Sequence, residues 1–129
     1  MSDIEFKGVD PKSENGKSIF FYSMDYWIEL CECISMIISE AFPSYPSMDA
    51  ENAEYLAGQL KRRLDFGLVQ AYYELATRRR LADPEMPAQE LEDETRSHVE
   101  CMLDWTRQYI TFLKECGGCE PQLWGVRSD

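Results

Sequence analysis

The sequence predicts a mainly α, single-domain protein, a four-helix bundle-like fold with room for a short N-terminal β-hairpin. Three observations predict it. Apolar residues recur at three- and four-residue spacing in four separate stretches between Ser23 and Glu115, which is the period of one helical face. Prolines and glycines fall between those stretches, at Pro43, Pro46, Gly67, Pro84 and Pro87, where they punctuate rather than interrupt. The β-prone runs are confined to the first 22 residues. A chain of 129 residues buries roughly two-thirds of its unfolded surface, enough for one core without a metal or disulfide staple. The expected organisation is an extension or hairpin over 1–22, a helical domain over 23–120 and a tail over 121–129.

Two runs, "IEFKGV" and "SIFFYS", flank "DPKSENGK", whose Pro, Asn and Gly suit a turn, so a hairpin fits the first segment. From Ser23 the pattern becomes helical: Trp27, Leu30, Ile34, Ile37, Ile38 and Ala41 share a face, Asp25, Glu29, Glu32 and Glu40 take others, and Pro43 ends the run. Ser47 or Asp49 can cap a second helix on the stripe Ala53, Leu56, Ala57, Leu60 and Leu64, which stops at Gly67. Leu68, Val69, Tyr72, Leu75 and Ala76 predict a third helix to about Ala82, closed by "ADPEMP". A last helix starts between Ala88 and Glu94 and runs to Glu115 on Val99, Met102, Leu103, Thr106, Tyr109, Ile110 and Leu113. Its acidic first turns suit the positive end of a helix dipole.

The 24 acidic and 13 basic residues give a formal net charge of -11. The summed field repels phosphate backbones and anionic membranes, so neither nucleic acid nor membrane is an expected partner. The basic triplets "KRR" at 61–63 and "RRR" at 78–80 sit near helix C-termini, where cations complement the dipole. The N-terminus lacks the layout of a secretory signal and no apolar run has the length of a membrane span, so the expected compartment is the cytoplasm. Its five cysteines are then expected to be reduced thiols.

Cys116 and Cys119 bracket two glycines in "ECGGCE". A reactive Cys-x-x-Cys uses a helix N-terminus to stabilise its thiolate, but here Cys116 ends a helix and Gly117 stands where a left-handed cap belongs. A structural zinc needs four convergent ligands. This pair supplies two, so zinc would require a site shared across a homodimer. Cys31 and Cys33 are two apart in a helical run and point in different directions. The simplest reading of "CGGC" is a helix stop, with Cys119, Leu123 or Trp124 returning to the core.

His98 is the only histidine, which excludes two-histidine mechanisms, and Glu94 at i−4 is its nearest candidate partner. The pairs Glu29/Glu32 and Glu51/Glu54 each place two oxygen ligands on one helical face, the arrangement magnesium requires in all-helical nucleotide pyrophosphatases. Glu90/Asp93 repeats the spacing. The phosphate-binding loop, dinucleotide and serine-hydrolase signatures are absent from the sequence. Phe20, Phe21, Tyr22, Tyr26 and Trp27 cluster at the start of the first helix, read first as core and second as a partner patch.

Three stretches, "FFYSMDYWIELCECI", "MDAENAEYLAGQLKRRLDFGLVQAYY" and "VECMLDWTRQYITFLKECGGCE", together resemble a family of small uncharacterised bacterial proteins. Its pattern is an aromatic-rich first helix, an A-x-x-L-A-x-x-L helix ending near Gly, and a closing F-L-[KR]-x-[SC]-G-G-F. Cys119 stands where the family pattern has Phe, as a core-returning side chain would. The resemblance implies the order of elements and brings no activity or cofactor. The leading functional expectation is a non-enzymatic, acidic protein-interaction module, monomeric or homodimeric, whose most concrete form is an immunity-type protein neutralising a basic partner. The alternative is a magnesium- or manganese-dependent enzyme acting on a nucleotide or phosphate through Glu29, Glu32, Glu51 and Glu54. A zinc-bridged dimer through Cys116 and Cys119 is the third reading.

Overall fold

The computed structural model describes residues 3–38, 42–43 and 46–124, without the side chains of Leu123 and Trp124. Four helices, α1 (Met24–Ile37), α2 (Ala50–Asp65), α3 (Leu68–Leu81) and α4 (Ala88–Glu115), are joined by strands β1 (Asp3–Gly8), β2 (Ser18–Phe21), β3 (Met48–Asp49) and β4 (Gly118–Trp124). The strands form one antiparallel sheet in the order β2-β1-β4-β3. The fold is therefore mainly α with a small sheet, not a pure bundle bearing a hairpin. No helix among the described residues is long and apolar enough to cross a membrane.

The helix boundaries follow the capping chemistry. Ser23 accepts a hydrogen bond from the Asp25 amide and Asp49 from the Asn52 amide, each satisfying an otherwise unpaired first-turn donor. Gly67, at φ 83°, turns the chain from α2 into α3. Residues 40 and 41, expected to extend the first helix, lie outside the described residues, and α1 closes at Ile37.

The 28-residue α4 is the spine, about 42 Å long. Its buried side, from Val99 through Met102, Thr106 and Tyr109 to Leu113, meets α2 and α3, while the sheet contributes Ile4, Phe6, Ile19, Phe21 and Cys119. Most of the expected aromatic patch is core: Phe6 and Phe21 lie 4.5 and 5.1 Å from Trp27, and Phe21 stacks on Trp105 at 4.6 Å. Such pairs contribute about 0.5–1.5 kcal/mol each beyond burial. Tyr22 alone of the five stands well exposed.

One boundary needs correction. Residues 121–124 are not a tail: they continue β4, which pairs with β1 from Trp124 opposite Asp3 to Cys119 opposite Gly8. Of the extension or hairpin expected over residues 1–22, the described residues form the hairpin, β1 pairing with β2, and β1 pairs on its other side with β4. The strand was hidden by Pro121, which sits where β4 has a neighbour on one side only, a position that tolerates a missing N–H. In α3 the phase differs as well. Val69, Tyr73 and Thr77 are buried, whereas Leu68 and Leu75 are 51% and 53% exposed.

The end of α4 is where helices and sheet are tied together. Backbone amides of the β1–β2 connection reach over it: Asp10 donates to the Cys116 carbonyl at 3.1 Å, Lys12 to Glu115 at 2.7 Å and Val9 to Gly118 at 2.8 Å. The Glu115 and Cys116 carbonyls, at the end of the helix, have no partner within it. Gly117 turns the chain at φ 64°, and a Cβ there would strike the Asp10 carbonyl. Gly16 meets the Glu115 carbonyl in the same way.

Gly117→Ala should therefore destabilise by more than the roughly 1–2 kcal/mol of left-handed strain alone, measured by urea unfolding. Gly58→Ala, in α2 with open space around it, should instead stabilise by about 0.5–1 kcal/mol.

Candidate functional site

Three helices meet at one carboxylate. Glu29 of α1 receives His98 Nε2 of α4 at 2.9 Å from both of its oxygens, and Arg80 Nη1 of α3 lies 3.2 Å from Oε1. The Glu29 side chain is 15% exposed and that of His98 is 20% exposed, while Arg80 is 53% exposed. A carboxylate so enclosed needs these donors to offset the water it has lost. With Glu29 ionised, the shared proton sits on Nε2, and Nδ1 makes no hydrogen bond among the described residues.

These residues border a cleft of about 630 Å³ that Ser23, Asp25, Tyr26, Ile28, Glu32, Tyr72 and Ala76 also line. The Tyr26 ring lies 6.4 Å from the imidazole. Ser23, the aliphatic hydroxyl at this cleft, caps α1, and the hydrogen-bond partner of the imidazole among the described residues is Glu29, not a hydroxyl arranged as in a triad. The chemistry present is an interhelical electrostatic clasp. The sequence places Glu94 beside His98, but the structure supplies Glu29, 69 residues away, from a different helix. Only tertiary packing brings these two together, and no local spacing signals it.

The cysteine pair lies elsewhere and is closed. Cys116 and Cys119 are both fully buried, with Cys119 on β4 between Gly8 of β1 and Met48 of β3. The Cys119 thiol donates to the Cys116 sulfur, which holds Cys116 down to about 7 against its desolvation and pushes Cys119 far up. At most one of the two ionises. The Cys116 thiol also lies 3.5 Å from the Leu113 carbonyl, to which it donates when protonated. Burial pushes Cys31 and Cys33 up to about 12. No three metal-ligating side chains converge among the described residues, and a zinc shared between two copies would need thiolates at the surface. The pair is where α4 stops and β4 begins.

The four candidate magnesium carboxylates are not assembled into one site. Glu29 belongs to the clasp, Glu54 pairs with Lys12 at 2.7 Å, and Glu32 and Glu51 are exposed. Four of the six cations of the basic triplets, Lys61, Arg63, Arg78 and Arg80, are engaged locally. Lys61 pairs with Asp65, Arg63 donates to the Ile37 carbonyl at 3.0 Å, and Arg78 forks onto Glu92 at 2.9 and 3.0 Å.

If Glu29 is the hub, Glu29→Ala should cost about 1.5–3 kcal/mol, since it strands a largely buried imidazole. Arg80→Ala should cost less than about 1 kcal/mol. Urea unfolding measures both, and equal costs would remove Glu29 from the centre of the clasp.

No protein-family model, no curated protein and no solved structure matches this chain.

Proposed function

We propose that this protein is a non-enzymatic, acidic interaction module that engages a basic protein partner, an immunity-type neutralising protein being the most concrete form. The observation that supports this is how its charge is distributed. The net charge is -11, and the cations Lys7, Lys12, Lys17, Lys61, Arg78, Arg80 and Arg96 are in internal ion pairs. Glu32, Glu51, Glu85, Glu90, Glu94 and Glu100 have no cationic partner among the described residues. A field of one sign steers an oppositely charged partner and speeds encounter more than it deepens affinity. The same field speaks against nucleic acid and anionic membranes as partners. We place the protein with the small bacterial proteins that its closing "FLKECGG" resembles, in the cytoplasm, as a monomer or homodimer.

The metal-dependent reading has less support, because its carboxylates lie in separate places. The interaction reading is tested by affinity capture of a basic protein followed by stopped-flow association with the purified partner. The on-rate should fall at least about tenfold between about 50 and about 500 mM salt as the field is screened. An on-rate independent of salt would contradict electrostatic steering.

A further inference from the structure

In a chain with 24 acidic and 13 basic residues, carboxylates are plentiful and an unpaired cation is the exception. Arg107 and Lys114 of α4 are two such exceptions. Neither side chain has an acidic partner or a hydrogen bond among the described residues. They share one helical face with Leu103 and Ile110. At 3.6 residues per turn, positions 103, 107, 110 and 114 fall within about 60° of one another, and the two cations stand about 10 Å apart along the axis. The face alternates apolar and cationic side chains.

That face borders a groove of about 460 Å³ between α4 and α2, with Gln70 of α3 on its wall. Small-molecule sites occupy roughly 300–1,000 Å³. The floor is apolar: Leu103 and Ile110 are buried and Leu64 of α2 is half-buried. Lys61 also lines the groove, but Asp65 holds its ammonium with both oxygens at 2.8 Å. The carboxylate one turn before Arg107, Asp104, accepts instead from Gln108 at 2.8 Å. Three cations, Lys61, Arg107 and Lys114, against one acid, Asp65, leave the lining at a net +2 on a molecule of -11. The Gln70 amide makes no hydrogen bond among the described residues, so its two donors are free as well.

Charge and size select the occupant. The summed field opposes an extended polyanion, whose charges reach far beyond the groove. A small anion is governed by what it touches. Forked, charge-assisted hydrogen bonds from a guanidinium act at contact, whereas salt screens the exposed carboxylates that lie more than about 8 Å away. The apolar floor requires that the anion carry an apolar body.

We propose that the α2–α4 groove binds a small amphiphilic carboxylate. Its acid group would fork onto Arg107, with Gln70 as a second donor, and its chain would lie on Leu64, Leu103 and Ile110. Lys114 adds attraction without having to make contact. The site is independent of the basic partner proposed above, and neither requires the other.

The probe is octanoate. Acetate keeps the acid group without the chain, and octylammonium keeps the chain and inverts the charge. Followed by amide NMR shifts, octanoate should move residues within 61–70 and 103–114, the segments that line the groove. It should bind at least about tenfold tighter than either control, a factor that about two buried methylenes supply. Arg107→Gln should weaken octanoate at least about fivefold, as loss of a charge-assisted hydrogen bond predicts. Arg79→Gln removes the same charge from α3, outside the groove, and should leave the affinity unchanged. Both arginines are exposed and hold no partner in the fold, so both variants should fold. Equal binding of octanoate and octylammonium, shifts centred on other segments, or an Arg107→Gln variant that binds as tightly as Arg79→Gln would overturn the proposal. So would the absence of saturable shifts up to about 10 mM octanoate, beyond the range of a specific small-molecule site.

Discussion

The structure depends on how α4 ends. A helix leaves its last carbonyls without donors, and here two amides of a single connection, Asp10 and Lys12, supply them to Cys116 and Glu115, while a third, Val9, bonds Gly118 at the start of β4. The donors come from the loop that joins β1 to β2, so one set of bonds caps the longest helix and fastens the hairpin to it. The close approach of Gly16 and Gly117 to neighbouring carbonyls leaves no room for a side chain at this crossing. The "CGGC" stretch is thus explained by geometry. Its glycines allow the crossing, and its cysteines fill the space beneath it.

From that junction the rest follows in both directions. Beyond Gly117 the chain enters β4 and completes a sheet whose inner side carries Ile4, Phe6, Ile19 and Phe21 into the core, Phe6 against Trp27 of α1 and Phe21 against Trp105 and Tyr109 of α4. In the other direction α4 carries Thr106 to Tyr73 and His98 to Glu29. The clasp joins α1, α3 and α4 in the N-terminal half of α4, and it fixes the spacing of α1 and α3.

Much of this was legible in the sequence, for physical reasons that differ by element. Ser23, Asp49, Gly67 and Gly117 carry local information, because a cap needs only its own few residues. The inner stripes of α2 and α4 were legible because their apolar residues recur with one clear phase. Helix α3 was not. Its adjacent apolar pairs, Leu68 with Val69 and Tyr72 with Tyr73, leave the phase open until α4 chooses Val69 and Tyr73. Strand β4 was hidden because "GCEPQLW" combines Gly and Pro, and its pairing with β1 spans almost the whole chain. The Glu29–His98 contact belongs to the same class. The cleft and the clasp both required tertiary contacts that no spacing encodes.

Native-state hydrogen exchange of the Val9, Asp10 and Lys12 amides tests the role of the junction most directly. These are residues of a connection with largely exposed side chains, so without the bonds to α4 they would exchange at the rates of a mobile loop. If the crossing holds the molecule together, all three should exchange only through global unfolding, as slowly as core amides of α4 such as Tyr109. Exchange through local opening, orders of magnitude faster than Tyr109, would mean that sheet and helices are joined by side-chain packing alone and that the end of α4 is not the constraint on which the fold depends.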